Sequence, residues 1–269
     1  MINEADIRYL TPTWKWFKSS DYVELLKEGS EVIRKYGKRN KILFSGLANS
    51  DSKFVDSIFN IGVSQYFDIM NVHKYNHKNS EPEDLISYFQ RLHDKLEKYS
   101  IKKPVWLTEC GCSTAEGWAS ESVHANRLPR IFLISYACGI DKVFWYKSRS
   151  REIDPSDKED YFGLWHKDYT LKPAYYAYKT LIKMCPSKST RPKLERNGKI
   201  YTATWKKPDG KSVWAFWTSK SKESITLNIK GKFKAFDLGG DDIHHLNNVF
   251  EVTPSIVYIV GARDVQIAN

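Results

Sequence analysis

A change of texture at Cys185-Pro186 constrains this chain more than any other feature, because the residues on its two sides follow different periodicities. Before it, short apolar runs alternate with long amphipathic stretches. Residues 21–38 place Tyr22, Leu25, Leu26, Val32, Ile33 and Tyr36 on one helical face, with Ser20 or Asp21 available as N-cap. A short apolar run at 41–47, a helical stretch at 51–61 and a second run at 67–72 come next. Residues 81–99 repeat the helical pattern, with Pro82 at the start and Leu85, Ile86, Phe89, Leu92 and Leu96 at helical spacing. A third run at 105–108 precedes a helical stretch at 121–138 that contains Pro129, where a kink or break is expected. A fourth run at 142–146 leads to a last helix, 172–184, entered through Pro173. Buried strands alternating with amphipathic helices predict parallel βα units, four strands complete and the tip of a fifth at 1–4.

Beyond Cys185-Pro186 the runs 201–205, 213–218, 224–229, 234–238 and 255–260 are β-rich. They are separated by turn formers at Pro208-Asp209-Gly210, Gly231 and Gly239-Gly240-Asp241. They predict a small antiparallel β domain, with the boundary between 186 and 192.

The 41% hydrophobic and 14% aromatic content is enough for a packed core and excludes a disordered or collagen-like chain. The net charge of +10 is spread along the sequence among acidic residues and accompanies no recognised nucleic-acid module, so nucleic acid is not the expected partner. No apolar run reaches transmembrane length and residues 1–20 lack the pattern of a secretory signal, so a soluble chain of unassigned compartment is expected. The four cysteines, Cys110, Cys112, Cys138 and Cys185, are not a disulfide framework for 269 residues. Cys110-x-Cys112 has no matching His or Cys cluster at zinc spacing, and small buried residues are the expectation.

In parallel βα barrels the reacting groups stand at the C-terminal ends of the strands. Glu4, His73, Glu109 and Trp145 all fall there. Two strand-end glutamates are what glycoside cleavage needs, one to protonate the leaving oxygen and one to attack the anomeric carbon or activate water. Each has a plainer account. Glu4 is otherwise a solvated terminal residue, and Asn3 matters only with it. His73 is otherwise a satisfied structural histidine, Tyr75 loop packing, and Trp145 part of an apolar strand. Glu109 is the hardest to explain by packing, since it lies between the apolar Val105-Trp106-Leu107 and Gly111.

These residues give the chain a resemblance to the C-terminal part of clan A glycoside hydrolases, the retaining (β/α)8-barrel superfamily. Asn3-Glu4 is similar to the Asn-Glu ending that superfamily's fourth strand, and Thr108-Glu109-Cys110-Gly111 to the Thr-Glu-x-Gly ending its seventh. Asn71-Val72-His73-Lys74-Tyr75 after strand six extends the likeness. So do Ala137 to Tyr146 into strand eight, and then Phe162-Gly163-Leu164 and Lys172-Pro173-Ala174-Tyr175. The resemblance implies an α/β fold: a partial (β/α)8 catalytic barrel over 1–188, from the end of strand four to helix eight, and a β-sandwich-like domain over 189–269. It implies Glu4 as general acid/base, Glu109 as nucleophile, and Asn3 on the sugar 2-hydroxyl. His73 and Tyr75 would lie beside the nucleophile and Trp145 would be a platform for the sugar. It implies a carbohydrate substrate and no metal or organic cofactor.

Three strands and most of a fourth are missing from such a barrel, and Glu4 has three residues before it and no strand to fix it. The expectation is an incomplete enzyme of little activity by itself, working with a complementary barrel half or a second copy of itself. A non-catalytic carbohydrate-binding or structural remnant is the alternative. A Schiff-base lyase using Lys147 is a weaker one.

Overall fold

The computed structural model describes residues 3–8, 17–37, 39–245 and 247–268. They fall into two compact units. The first takes Met1–Tyr75, Ile86–Cys110 and Cys138–Trp145; the second takes Asn76–Leu85, Gly111–Ala137 and Tyr146–Asn269.

In the first unit a short helix α1 (Ala5–Arg8) precedes α2 (Ser19–Tyr36), α3 (Lys53–Ile61), strand β1 (Met70–Tyr75), α4 (Asp84–Lys98), strand β2 (Val105–Gly111) and strand β3 (Lys142–Trp145). Asn3 and Glu4 form a bend, not a strand tip, and Met1 and Ile2 lie outside the described residues. The cap of α2 is Lys18 rather than Ser20 or Asp21. Asp21 instead sits at the third helical position and accepts the Lys18 amide at 2.7 Å. The buried face is Tyr22, Val23, Leu26 and Ser30, while Leu25, Val32 and Tyr36 are exposed. The true stripe is therefore rotated from the expected one, because it includes a serine whose hydroxyl bonds back to the Lys27 carbonyl.

The strands lie in the order β1-β2-β3, with β2 and β3 parallel. The run expected as a strand at 41–47 pairs with β1 and the residue before it through isolated parallel bridges and not a continuous ladder, Leu43 with Ile69 and Leu47 with Val72. Its ladder is interrupted because the Ser45 amide donates to the Tyr22 hydroxyl instead. Strand β1 begins three residues later than expected because Asp68 is a corner. Its carboxylate takes both Nη atoms of Arg34 and the Ile42 amide. Tyr22, Phe59 and Phe67 close around the buried Phe44 ring, with centroids 5.0–5.8 Å away.

In the second unit α5 (Glu121–Ala137) packs on α6 (Pro173–Met184), which has Pro173 in its first turn. The break expected at Pro129 does not occur. The helix is buried over most of its length, and that packing holds it through the one missing N–H. Eight further strands complete the unit: β4 (Lys193–Asn197), β5 (Ile200–Lys206), β6 (Ser212–Thr218), β7 (Glu223–Lys230), β8 (Lys234–Phe236), β9 (Val249–Val252), β10 (Val257–Val260) and β11 (Asp264–Ile267). They form a five-stranded sheet, β4-β5-β6-β10-β8, and a three-stranded sheet, β11-β7-β9. Trp214 and Phe216 of β6 share a core with Ile225, Leu227, Phe250, Ile259 and Val265. On the other face of the larger sheet Tyr201 stacks on Trp217, and Trp205 donates Nε1–H to the Met184 carbonyl at the end of α6. Both faces of β5 and β6 are thus covered, which explains their near-continuous apolar runs. Strands β4, β9 and β11 are not expected from the sequence because they are short edge strands of four or five residues, and β4 is also mostly charged.

Candidate active site

Period two along β1 turns Asn71, His73 and Tyr75 to one side, and each reaches the end of β2. The Thr108 hydroxyl donates to Asn71 Oδ1 at 2.6 Å, and His73 Nε2 lies 3.0 Å from Thr108 Oγ1. The Tyr75 hydroxyl donates to Glu109 Oε2 at 2.6 Å.

Thr108 and Glu109 are consecutive, so in a regular strand they would face opposite ways. The register between β2 and β3 slips here: Leu107 pairs with Val143, but Cys110 pairs with Trp145. One extra residue on β2 makes a bulge, which lets both side chains reach β1. The glycine of the Thr-Glu-x-Gly run has its own cause. A Cβ on Gly111 would lie 2.5 Å from the Tyr146 carbonyl oxygen.

The largest difference from expectation concerns Glu4, which is fixed by the two residues after it. The Ala5 amide donates to Ser45 Oγ at 3.0 Å. The Asp6 carboxylate, 1% exposed, accepts the Ala48 and Asn49 amides, one on each oxygen. Burial raises the Asp6 carboxyl above its ordinary range, against the pull of those amides. Glu4 itself takes φ = 51°, a left-handed conformation that costs about 1–3 kcal/mol in a non-glycine residue and persists only where its surroundings hold it. Its Oε1 lies 2.9 Å from His73 Nδ1.

His73 thus stands between the two carboxylates, its Nδ1 2.9 Å from Glu4 and 3.4 Å from Glu109 Oε2. The ring is 2% exposed, while both carboxylates keep about a quarter of their side-chain surface open. Among the described residues no lysine or arginine forms an ion pair with either glutamate. The ligand atoms of Glu4, His73 and Glu109 all lie within 4.8 Å of one another, spacing a metal ion could use. The hydrogen bonds among the three and Tyr75 account for that spacing without an ion.

Trp145 is half-buried at the end of β3, and Asn3 is exposed beside Glu4. Lys147 donates from Nζ to the Glu159 carbonyl at 2.6 Å, a structural use of the amine rather than the free nucleophile a Schiff base needs. All four cysteines are free, with Cys110 and Cys112 buried and both thiols pushed up by that burial. Sequence reasoning passes over Asp6, Ser45, Gly46, Asn71 and Thr108 as individual site residues. The period-two partners of His73 and the residue before Glu109 are signals for the last two.

No helix among the described residues is long and apolar enough to cross a membrane. Comparison with curated protein sequences gives no match. Solved structures do match. A family 39 glycoside hydrolase from Bacteroides cellulosilyticus is 21% identical with TM-score 0.75, the match covering 90% of this chain and 55% of that one. A family 39 beta-xylosidase from Caulobacter crescentus is 12% identical with TM-score 0.62, covering 96% of this chain and 65% of that one. A glucosidase from Croceicoccus marinus is 11% identical with TM-score 0.68, covering 97% and 68%. The chain therefore spans between half and two thirds of the first two structures it matches, and it is similar to them in fold. The family profile described as Glyco_hydro_42, Beta-galactosidase, matches residues 4–184, from the acid beside His73 to the end of α6. Because that match takes in more than half of the sequence, the chain belongs to this Beta-galactosidase family.

Proposed function

We propose that the chain carries the catalytic carboxylates of a retaining O-glycoside hydrolase, with Glu109 as nucleophile and Glu4 as general acid/base. The observation that carries this reading is the approach of the two carboxylates, whose oxygens lie within 4.8 Å around a shared histidine. Retaining glycosidases hold their carboxyl groups about 5–5.5 Å apart, whereas inverting enzymes leave about 6.5–9.5 Å for a water. Glu109 attacks the anomeric carbon while Glu4 gives its proton to the leaving oxygen, and Glu4 then activates the water that releases the sugar. Tyr75 holds the attacking carboxylate, and Trp145 and Asn3 meet the sugar. The family description makes β-galactosides the first substrates to try, and the likeness to a beta-xylosidase makes β-xylosides the second.

The carbohydrate pocket needs further walls. Among the described residues the segment 42–47 and strands β1, β2 and β3 form no closed ring. We propose that a complementary barrel half, or a second copy of this chain, completes it over a catalytic part at 1–188, with 189–269 as the appended β domain. Sedimentation with and without sugar tests this, and an active, stable monomer overturns it.

The mechanism is tested with Glu4→Ala and Glu109→Ala assayed on aryl glycosides with added azide. The expected result is a β-glycosyl azide from the Glu4 variant and an α-glycosyl azide from the Glu109 variant. Normal turnover by Glu109→Gln overturns the assignment. Oligosaccharide binding without turnover, with the pocket complete, makes the chain a binding module instead.

A further inference from the structure

We propose that His73 is the proton partner of Glu4, and that Thr108 and Asn71 are positioning residues that fix its tautomer, so that Glu4 and His73 together hold a single proton. The use made of that proton rests on the glycosidase reading. Its location does not.

A chain of hydrogen bonds runs inward from Asn71. Its Oδ1 can only accept, so the one hydroxyl hydrogen of Thr108 is committed to it at 2.6 Å. Thr108 Oγ1 then has only lone pairs to offer His73 Nε2 at 3.0 Å, so Nε2 must carry a hydrogen. In the neutral ring this leaves Nδ1 bare, facing Glu4 Oε1 at 2.9 Å. Two lone pairs at that distance repel. The contact is favourable only with one proton between them, as a carboxylic acid donating to neutral imidazole or an imidazolium donating to carboxylate. Both forms contain the same proton.

The charged groups around the ring support the count. From the bend at residue 4 comes Glu4, with Asp6 in its electrostatic field. From β2 comes Glu109, 3.4 Å from Nδ1, its Oε2 also taking the Tyr75 hydroxyl. From segment 42–47 comes Gly46, which contributes no charge and whose missing side chain lets the ring approach. His73 is thus the group placed to neutralise a pair of carboxylates that no described lysine or arginine reaches.

The proton balance fits a double displacement. In the first step the Glu4–His73 pair gives its proton to the leaving oxygen as the glycosidic C–O bond breaks and Glu109 bonds to the anomeric carbon. In the second, water attacks that carbon, the bond to Glu109 breaks, and the water's proton returns to the pair.

The test is a long-range ¹H–¹⁵N correlation spectrum of the full chain labelled at its seven histidines, with His73 assigned from the His73→Asn spectrum. The expected result is a protonated Nε2 at every pH at which the chain is folded. Thr108→Ser keeps this pattern, whereas Thr108→Val loses it. A wild-type ring protonated at Nδ1 alone overturns the proposal, as does a tautomer indifferent to Thr108→Val. These spectra need no turnover, so they stand whether or not the glycosidase reading survives. With a turning-over enzyme, Thr108→Val should also move the pH–rate profile and lower kcat about tenfold or more, and Thr108→Ser should restore both.

Discussion

Gly46 lies so close to His73 that a Cβ at position 46 would stand 2.1 Å from Nε2 and 2.5 Å from Cε1. No real Cβ sits that near a ring atom, and the ring cannot retreat, because Thr108 and Glu4 hold both nitrogens. Gly46→Ala should therefore push the imidazole out of its slot. The expected outcome is a loss of about 10²-fold in kcat through misplacement of Glu4, with a stability cost of about 1–3 kcal/mol. Steady-state kinetics and denaturant unfolding of the same preparation check the two effects separately, and wild-type kinetics would show that the ring is not needed where it stands.

Asp6 supplies a second handle on Glu4. Removing its carboxylate frees the Ala48 and Asn49 amides and loosens the bend that carries Glu4. With Glu4 in the proposed role of general acid, Asp6→Ala should lower kcat by about 10²-fold on substrates with poor leaving groups, through misplacement of Glu4. It should do so much less on aryl glycosides whose leaving group needs no proton. Equal losses on both would mean that Asp6 holds the fold and not the acid.

The contrast between Asp6 and Glu109 separates what a sequence makes legible from what it does not. Glu109 is legible because an apolar run ending in an acid and a glycine is poorly explained by packing, His73 because it falls at a strand end, and Tyr75 only through the resemblance to clan A glycoside hydrolases. The alternating strands and helices before Cys185-Pro186 and the β-rich texture after it also carry through. The long-range relations cannot be read this way. The bulge that turns Thr108 and Glu109 together is a register slip between β2 and β3, with no local signature. The hold of Asp6 and Ser45 on the bend at Glu4 joins residues about forty positions apart. The helical face of α2 is misjudged because Ser30 is buried by satisfying its hydroxyl locally, something hydropathy alone cannot register.

Tyr75→Phe isolates the hydroxyl that donates to Glu109 at 2.6 Å. A hydrogen bond to a charged group contributes about 1.5–3 kcal/mol, so the expected fall in kcat is roughly 10- to 100-fold with stability little changed. Pre-steady-state bursts would show which step slows. The glycosylation step should slow where the bond aligns the nucleophile. A pure KM effect would place Tyr75 with the substrate instead.

The Arg34–Asp68 pair predicts a pH dependence of stability. Hydrogen bonds from Arg34 hold the Asp68 carboxyl below its ordinary range, with the Ile42 amide adding to them. A depressed carboxyl binds fewer protons folded than unfolded. Its contribution is therefore fully present above the unfolded value of 3.8 and is lost as pH falls through the lower folded one. Thermal melts from neutral pH down through this window should drop more steeply for the wild type than for Asp68→Asn. Parallel curves would remove Asp68 from the acid-sensitive set.

In the second unit Arg130, 1% exposed, joins Glu81 and Glu83, and Arg127 joins Glu81 from the next turn of α5. Glu83 also accepts Trp217 Nε1–H at 2.7 Å, which ties strand β6 of the five-stranded sheet to the same carboxylate. Cutting one partner from a buried pair leaves the other charge desolvated and uncompensated, at about 3–5 kcal/mol. Arg130→Met should cost that much, because Glu83 keeps its indole donor but loses its counter-charge. Adding Glu83→Gln should recover part of the loss, since the neutral amide can still accept from Trp217. A double-mutant cycle by denaturant unfolding measures the recovery. Additive losses would mean that the two residues stabilise the fold independently, with Glu83 serving Trp217 rather than Arg130.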